Sequence, residues 1–344
     1  MSKLAFTNQE SSINKGGVSV GTGMKSAIIK LGVDCGNGFT KTNGKRFASA
    51  VVKGKLGSVG GRAEGHHQIV IDGKPWIVGR GEKFICEDRY TDPRYKICLL
   101  TAIAMEAKSR GIAASELIVD LCVGVPQNLH KNDELVADLR NTILGWEKTN
   151  IQVDNNIEGG INANYNIKIR KVIVFVEGAL CLLSNDMSKT LTIDLGEGTY
   201  NACLWENGAI IADDTDQYGA QYIFQTVKED IEWSTGKVVK ASEVEECIMK
   251  NIYALPIGEN GELVNLEAEF CESINTAVRN IYTNISKTGK FNFNTIEKIQ
   301  LLGGTSSFTY EYFEKIPAFK GKTFLVENAQ FINSEIYEAV INHA

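Results

Sequence analysis

Metal-binding and cross-linking side chains are sparse in this chain. It has four histidines, His66, His67, His130 and His343, and none stands at metal-ligand spacing to a cysteine. Its eight cysteines, at positions 35, 86, 98, 122, 181, 203, 247 and 271, scatter evenly and form no C-x-x-C pair. That argues against a zinc site or a disulfide frame and reads as reduced thiols in a cytosol. Long apolar runs are missing as well. The longest are strand-length, too short for a membrane span. Residues 1–27 are rich in Ser, Gly and Asn, with no apolar run among Lys3, Lys15 and Lys25. No signal peptide is read there, and a flexible tail is expected. Nor is positive charge in excess. The 36 basic and 42 acidic residues leave a net charge of −6, which argues against a body coated for the nucleic-acid backbone.

What is there is ordinary for a globular protein. The 344 residues are 43% hydrophobic and 23% charged. That length suggests about two domains, each able to bury a core without a staple. Collagen, coiled coil, disordered chain and mini-protein are excluded.

Patterning places the elements. Ala27 to Val33 (AIIKLGV) reads as a strand, and Asn43-Gly44 as the turn of a hairpin joining Phe39–Thr42 to Arg46–Val52. Residues 53–67 read as a mobile Gly- and Lys-rich segment, followed by a second hairpin around Asp72-Gly73. Ile97, Leu100, Ala104 and Ala107 share one helical face, with Gly111 as the stop. Leu117–Val125 and Lys171–Val176 read as buried strands, His130–Leu144 as a polar helix and Glu177–Asn185 as a short helix. The second half repeats the plan. Thr190–Leu195, Asn201–Trp205 and Ala209–Ala212 form a meander, helices run to about Lys287, Ile296–Leu302 is a strand, and Phe331–Ile341 is a last helix. Each half thus opens on a strand and hairpin around an acidic, Gly-rich turn, a weak internal duplication.

Three glycine turns carry the chemistry. The first is Asp34-Cys35-Gly36-Asn37-Gly38, with Lys41 close behind; the second is Asp194-Leu195-Gly196-Glu197-Gly198-Thr199. In each, a buried strand delivers an aspartate into a turn whose glycines bring backbone N–H groups close to a ligand. Such turns suit phosphate oxygens, and a carboxylate at the strand end suits a hydrated Mg²⁺. One such turn alone is an ordinary hairpin with glycine at positive φ. Two of one design, about 160 residues apart, point to a nucleotide. The third turn, Gly303-Gly304-Thr305, joins a strand to a helix start, where a flat base or ribose lies against bare backbone. Glu177 follows the strand KVIVFV and reads either as a helix-dipole partner or as the group that orients a water on a terminal phosphate.

The three turns in this order resemble the actin/hexokinase/heat-shock ATPase superfamily. Asp34-x-Gly36-x-Gly38-x-x-Lys41 is similar to the actin phosphate-1 loop, Asp194-x-Gly196-x-Gly198 to phosphate-2, and Leu302-Gly303-Gly304-Thr305 to the adenosine motif. The form D-x-G-N-G-x-x-K, Val123-Gly124-Val125-Pro126, Val176-Glu177-Gly178-Ala179 and the segment opening the last helix at Asn328–Asn333 resemble the bacterial plasmid-segregation ATPases of the ParM type. The resemblance implies an α/β fold, actin-like (ribonuclease H-like), with two domains flanking a nucleotide cleft. Each domain would be a mixed sheet flanked by helices, with smaller subdomain insertions. The implied division is a tail at 1–27, domain I at 28–188 plus 329–344 with 45–92 as subdomain IB, and domain II at 189–328 with 235–265 as subdomain IIB.

The resemblance also implies roles. Asp34 and Asp194 would hold Mg²⁺ through water, with Asp194 as the water's base. Glu177 would polarise the attacking water. Gly36, Asn37, Gly38 and Lys41, with Gly196, Glu197, Gly198 and Thr199, would bind the phosphates of ATP or GTP, and Gly303, Gly304 and Thr305 would face the nucleoside. The second loop departs from the family in reading G-E-G and in Tyr200, which adds bulk. The implied function is a cytoplasmic bacterial nucleotidase that assembles into a homopolymeric filament and segregates plasmid DNA through a basic DNA-binding adaptor, without a membrane. The alternatives are a small-molecule kinase on the same fold or another cytoskeletal actin. Residues 205–250 hold ten acidic and four basic residues; they read as a solvated helical face or as the docking site of the adaptor.

Overall fold

The computed structural model describes residues 26–54, 66–83, 89–154, 163–180 and 187–344. The expected tail lies outside these residues except for its last two, as do most of the 53–67 segment and residues 181–185 of the short helix expected after Glu177. The chain divides into two units, Met1–Asn185 with Phe331–Ala344, and Asp186–Gln330.

In the first unit the strands are β1 (Ser26–Cys35), β2 (Phe39–Thr42), β3 (Lys45–Ala48), β4 (Ala50–Lys53), β5 (His67–Ile71) and β6 (Lys74–Lys83). Helix α1 (Pro93–Ser109) follows, then β7 (Glu116–Val125), α2 (Gln127–His130), α3 (Asp133–Leu144), β8 (Thr149–Asp154) and β9 (Ala163–Val176). The second unit holds β10 (Thr190–Leu195), β11 (Tyr200–Glu206), β12 (Ala209–Asp216), α4 (Ala220–Thr235), α5 (Ala241–Lys250), β13 (Ala254–Leu255), β14 (Val264–Asn265) and α6 (Glu267–Lys287). It closes with β15 (Lys298–Leu302), α7 (Ser306–Glu314) and β16 (Thr323–Leu325), and α8 (Ile332–His343) belongs to the first unit.

The sheets share a plan. The larger runs β3-β2-β1-β7-β9-β8-β5-β6-β4 and the smaller β12-β11-β10-β15-β16. In both, an antiparallel three-strand meander is extended by two parallel strands, β7 and β9 or β15 and β16. Five strands of one sheet therefore repeat five of the other, and the duplication is plainer in topology than in sequence. The parallel strands read as continuous apolar runs because helices cover both faces; all six residues of β10 are buried.

Local chemistry sets the ends. Asp92 caps α1 by accepting from the Arg94 N–H at 2.8 Å, with Pro93 in the first turn. The expected helix from His130 breaks into α2 and α3 because Asn132 accepts from the Leu135 N–H at 3.1 Å and starts a new helix. The run Arg46–Val52 splits at Ser49, whose N–H donates to the Gly38 carbonyl at 2.9 Å, and β4 leaves to pair with β6. Strand β9 begins at Ala163, well before the expected Lys171, and pairs with the unforeseen β8.

Helix α8 packs on β1 at a place where no side chain fits. A Cβ on Gly32 would fall against the backbone of Ser334, Tyr337 and Glu338. Arg110 secures the same helix, donating to Glu106 at 2.8 Å and Glu338 at 2.9 Å. Gly32→Val is therefore expected to cost about 2 to 3 kcal/mol in urea unfolding. Gly44→Ala, at φ 74° but with nothing within 4 Å, is expected to cost about 1 kcal/mol. Equal losses would contradict the backbone contact.

Candidate functional site

The first loop grows out of β1. Antiparallel pairing sets Asp34 opposite Lys41 and Cys35 opposite Thr40. Asp34 is buried, and the Lys41 ammonium donates to its Oδ2 at 2.8 Å. The turn closes with the Gly36 N–H donating to the Phe39 carbonyl at 3.1 Å. A Cβ on Gly36 would stand 3.3 Å from that oxygen, so glycine serves close approach; its φ is not positive. Behind the turn, Thr40 meets Cys35 Sγ at 3.4 Å and Ser49 at 3.0 Å. The buried Oδ1 of Asn37 has no partner among the described residues.

The second loop closes in the same way. The Gly196 N–H donates to the Thr199 carbonyl at 2.9 Å, and a Cβ on Gly196 would lie 3.2 Å from that carbonyl. Asp194 is buried at the end of β10. Here the start of α4 grips the turn. The N–H groups of Gly219, Ala220 and Gln221 donate to the carbonyls of Gly198, Gly196 and Glu197 at 3.3, 3.0 and 2.9 Å. Gly219 has to be glycine, since a Cβ would lie 2.6 Å from the Glu197 carbonyl. The positive end of a 16-residue helix thus points at the loop. Tyr200 adds no bulk to the loop: it is fully buried, and its hydroxyl donates to Asp214 at 2.5 Å.

The third turn belongs to the same assembly. Gly303 takes φ 84°, and a Cβ there would stand 2.5 Å from Asp194 Oδ1. Thr305 is buried, with its hydroxyl donating to the Gly196 carbonyl at 2.9 Å, so it braces the second loop. Gly304 is the bare surface of the turn, and the nearest atom to its absent Cβ is Gln330 Nε2 at 3.4 Å.

Glu177 opens no helix among the described residues; Glu177 and Gly178 form a turn after β9, with Gly178 at φ 75°. The Glu177 N–H donates to the Val125 carbonyl at 3.0 Å, and the Gly178 N–H donates to Asn333 Oδ1 at 3.0 Å. A partner of the carboxylate is Arg89, with Nη2 3.1 Å from Oε1 and both side chains buried. No local sequence pattern marks Arg89. Gly219 is more legible, standing just before the amphipathic run of α4.

The acidic stretch is only partly helical. Asp213, Asp214 and Asp216 lie on β12, where Lys290 bonds Asp214 at 3.0 Å and Asn284 bonds Asp216 at 2.7 Å. On the helices, Lys228 pairs with Glu232 and Lys250 with Glu246. The six described cysteines at 35, 98, 122, 203, 247 and 271 are free thiols.

Residues 32–179 match the family described as actin like proteins N terminal domain. No curated protein matches the chain. Among solved structures, a 15-stranded ParM filament from Clostridium botulinum is similar at 16% identity, with 92% of this chain and 99% of that one covered and a TM-score of 0.68. Ta0583, an archaeal actin homolog, is similar at 17% identity, over 92% of this chain and all of the other, with a TM-score of 0.69. A Bacillus thuringiensis ParM with AMPPNP is similar at 15% identity, over 90% and 97%, with a TM-score of 0.62. Two units built on one sheet plan, each with an aspartate carried into a glycine turn, and the match of residues 32–179 to that family go with a chain that has the fold of the ParM and archaeal actin-homolog structures.

Proposed function

We propose that the chain is a nucleotide-hydrolysing actin-like protein of the bacterial cytoplasm, which forms homopolymeric filaments with Mg-ATP or Mg-GTP and moves plasmid DNA through a basic DNA-binding adaptor. The observation that carries this reading is the matched closure of the two loops, Gly36 to Phe39 and Gly196 to Thr199, each beside a buried aspartate. A ParM with AMPPNP and a ParM filament among the similar structures support nucleotide binding and self-assembly. Among the described residues no helix is long and apolar enough to cross a membrane.

The donors fit magnesium. Asp34 and Asp194 offer hard carboxylate oxygens, and no cluster of three His, Cys, Asp or Glu occurs among the described residues. That suits an ion held mostly by water and phosphate. The unpartnered Asn37 Oδ1 is an acceptor suited to an ion-bound water, and the N–H groups of Asn37 and Gly38 suit phosphate oxygens. Bound there, Mg²⁺ would supply charge neutralisation on the phosphates. Lys41, already beside Asp34, adds a cation for the same oxygens. Gly196, Glu197, Gly198 and Thr199 would receive phosphate on the second loop, while Gly303 and Gly304 leave bare backbone for the nucleoside. Glu177 would orient the attacking water and Asp194 accept its proton. Nucleotide that favours one arrangement of the chain over another would bias polymer formation. Any adaptor is sought first on 205–250, at acids outside the β12 network and the helix ion pairs.

Two results are expected. Sedimentation with Mg-ATP or Mg-GTP yields polymer, and the absence of polymer with both would sink the filament reading. Glu177→Ala lowers hydrolysis about 100-fold and still assembles; unchanged turnover would remove Glu177 from the chemistry.

A further inference from the structure

Arg89 and Glu177 form a buried ion pair that neither spacing nor composition announces. Both residues are only 7% exposed. The Arg89 Nη2 donates to Glu177 Oε1 at 3.1 Å and to the Tyr90 hydroxyl at 2.7 Å. The guanidinium also lies 4.8 Å from the centre of the Tyr90 ring, which packs edge-on against Tyr95 at 5.4 Å. Cys35 and Asp34, at the end of β1, and Cys98 of α1 belong to the charged and titratable neighbourhood of this cluster. Burial works against the charge on Arg89, but Tyr90 and Glu177 outweigh it and hold the guanidinium protonated. Burial likewise pushes the Tyr90 hydroxyl above its ordinary range, so it stays neutral.

A buried ion pair of this kind adds little stability, since two apolar residues of similar volume serve as well. What it does supply is a fixed, charged carboxylate. The backbone of Glu177 is pinned by Val125 and that of Gly178 by Asn333, and Arg89 adds a hold on the side chain itself. A group that orients a water has to be ionised and aimed before the water arrives.

We propose that Arg89 is the positioning residue of the hydrolytic step: it keeps Glu177 ionised and aimed, and so governs the rate of hydrolysis and not the affinity for nucleotide. This rests on the reading of Glu177 given above.

The test compares the full chain with Arg89→Met, Arg89→Lys, Glu177→Gln and the double variant Arg89→Met/Glu177→Gln. In Arg89→Met, kcat is expected to fall about 10- to 100-fold with the dissociation constant of a fluorescent ATP analogue within about threefold. Without the cation a buried carboxylate takes up a proton more easily. The acidic limb of the pH–rate profile should therefore move up by about one unit or more. Arg89→Lys should recover part of the rate. The double variant should not show that upward shift, and by removing both charges it should keep the fold if Arg89→Met alone does not.

An unchanged rate and profile, or affinity and rate falling together with no shift, would overturn the proposal. A native protein that hydrolyses no nucleoside triphosphate would overturn the reading of Glu177 instead. The pairing is then judged by carbon-13 NMR titration of the Glu177 carboxyl, assigned by its loss in Glu177→Gln. Titration at higher pH in Arg89→Lys than in the native chain supports it, and coincident curves refute it.

Discussion

Contact of backbone with backbone, at positions where a single Cβ would intervene, is the constraint on which the rest of this structure depends. In the first unit Gly32 lets α8 lie directly on β1. In the second unit Gly219 and Gly303 do the same for the second loop, meeting the carbonyls of Glu197 and Leu195. These contacts leave the loops little freedom. The second loop is held by three N–H donors from the start of α4 and by the Thr305 hydroxyl. The turn that follows Asp194 is thus set by main chain packed against main chain. Preorganisation of that kind suits anion binding, because the donors need no rearrangement when charge arrives.

Buried charge is handled locally. In the first unit each acid assigned to the site carries its own cation, Lys41 for Asp34 and Arg89 for Glu177. The second unit has a different arrangement around its acidic stretch. There Tyr200, Lys290 and Asn284 gather Asp214 and Asp216 into a network behind the loop, and the Tyr200 hydroxyl is pushed well above its usual range by burial and by Asp214. The charge concentrated in 205–250 is therefore partly internal to the fold, which reduces the acidic surface left for a basic partner.

The elements most legible in the sequence were those fixed by local chemistry. Gly111 bounded α1, Asn43-Gly44 made a hairpin, and the apolar runs of β1, β7 and β10 read as buried strands. The two D-x-G-x-G turns were legible because one physical requirement, close approach of backbone, demands glycine at fixed spacing after a strand. Long-range pairing was not legible. Strand β9 alternates polar and apolar residues from Ala163, a pattern that becomes meaningful only once β8 pairs with it. Thr305 carries the right residue type for a ligand contact, and nothing in the sequence marked the bond of its hydroxyl to Gly196. Arg89 lay beyond sequence reasoning, because its role is defined by a carboxylate 88 residues away.

The central proposal is that the chain binds a magnesium nucleoside triphosphate. Calorimetric titration of the chain with a non-hydrolysable ATP or GTP analogue, with and without Mg²⁺, tests it most directly when run beside Gly303→Val. Magnesium-dependent binding of one nucleotide per chain, lost in a Gly303→Val protein that keeps its circular dichroism spectrum, is the predicted result. No binding to the native chain, or equal binding to both proteins, would contradict it.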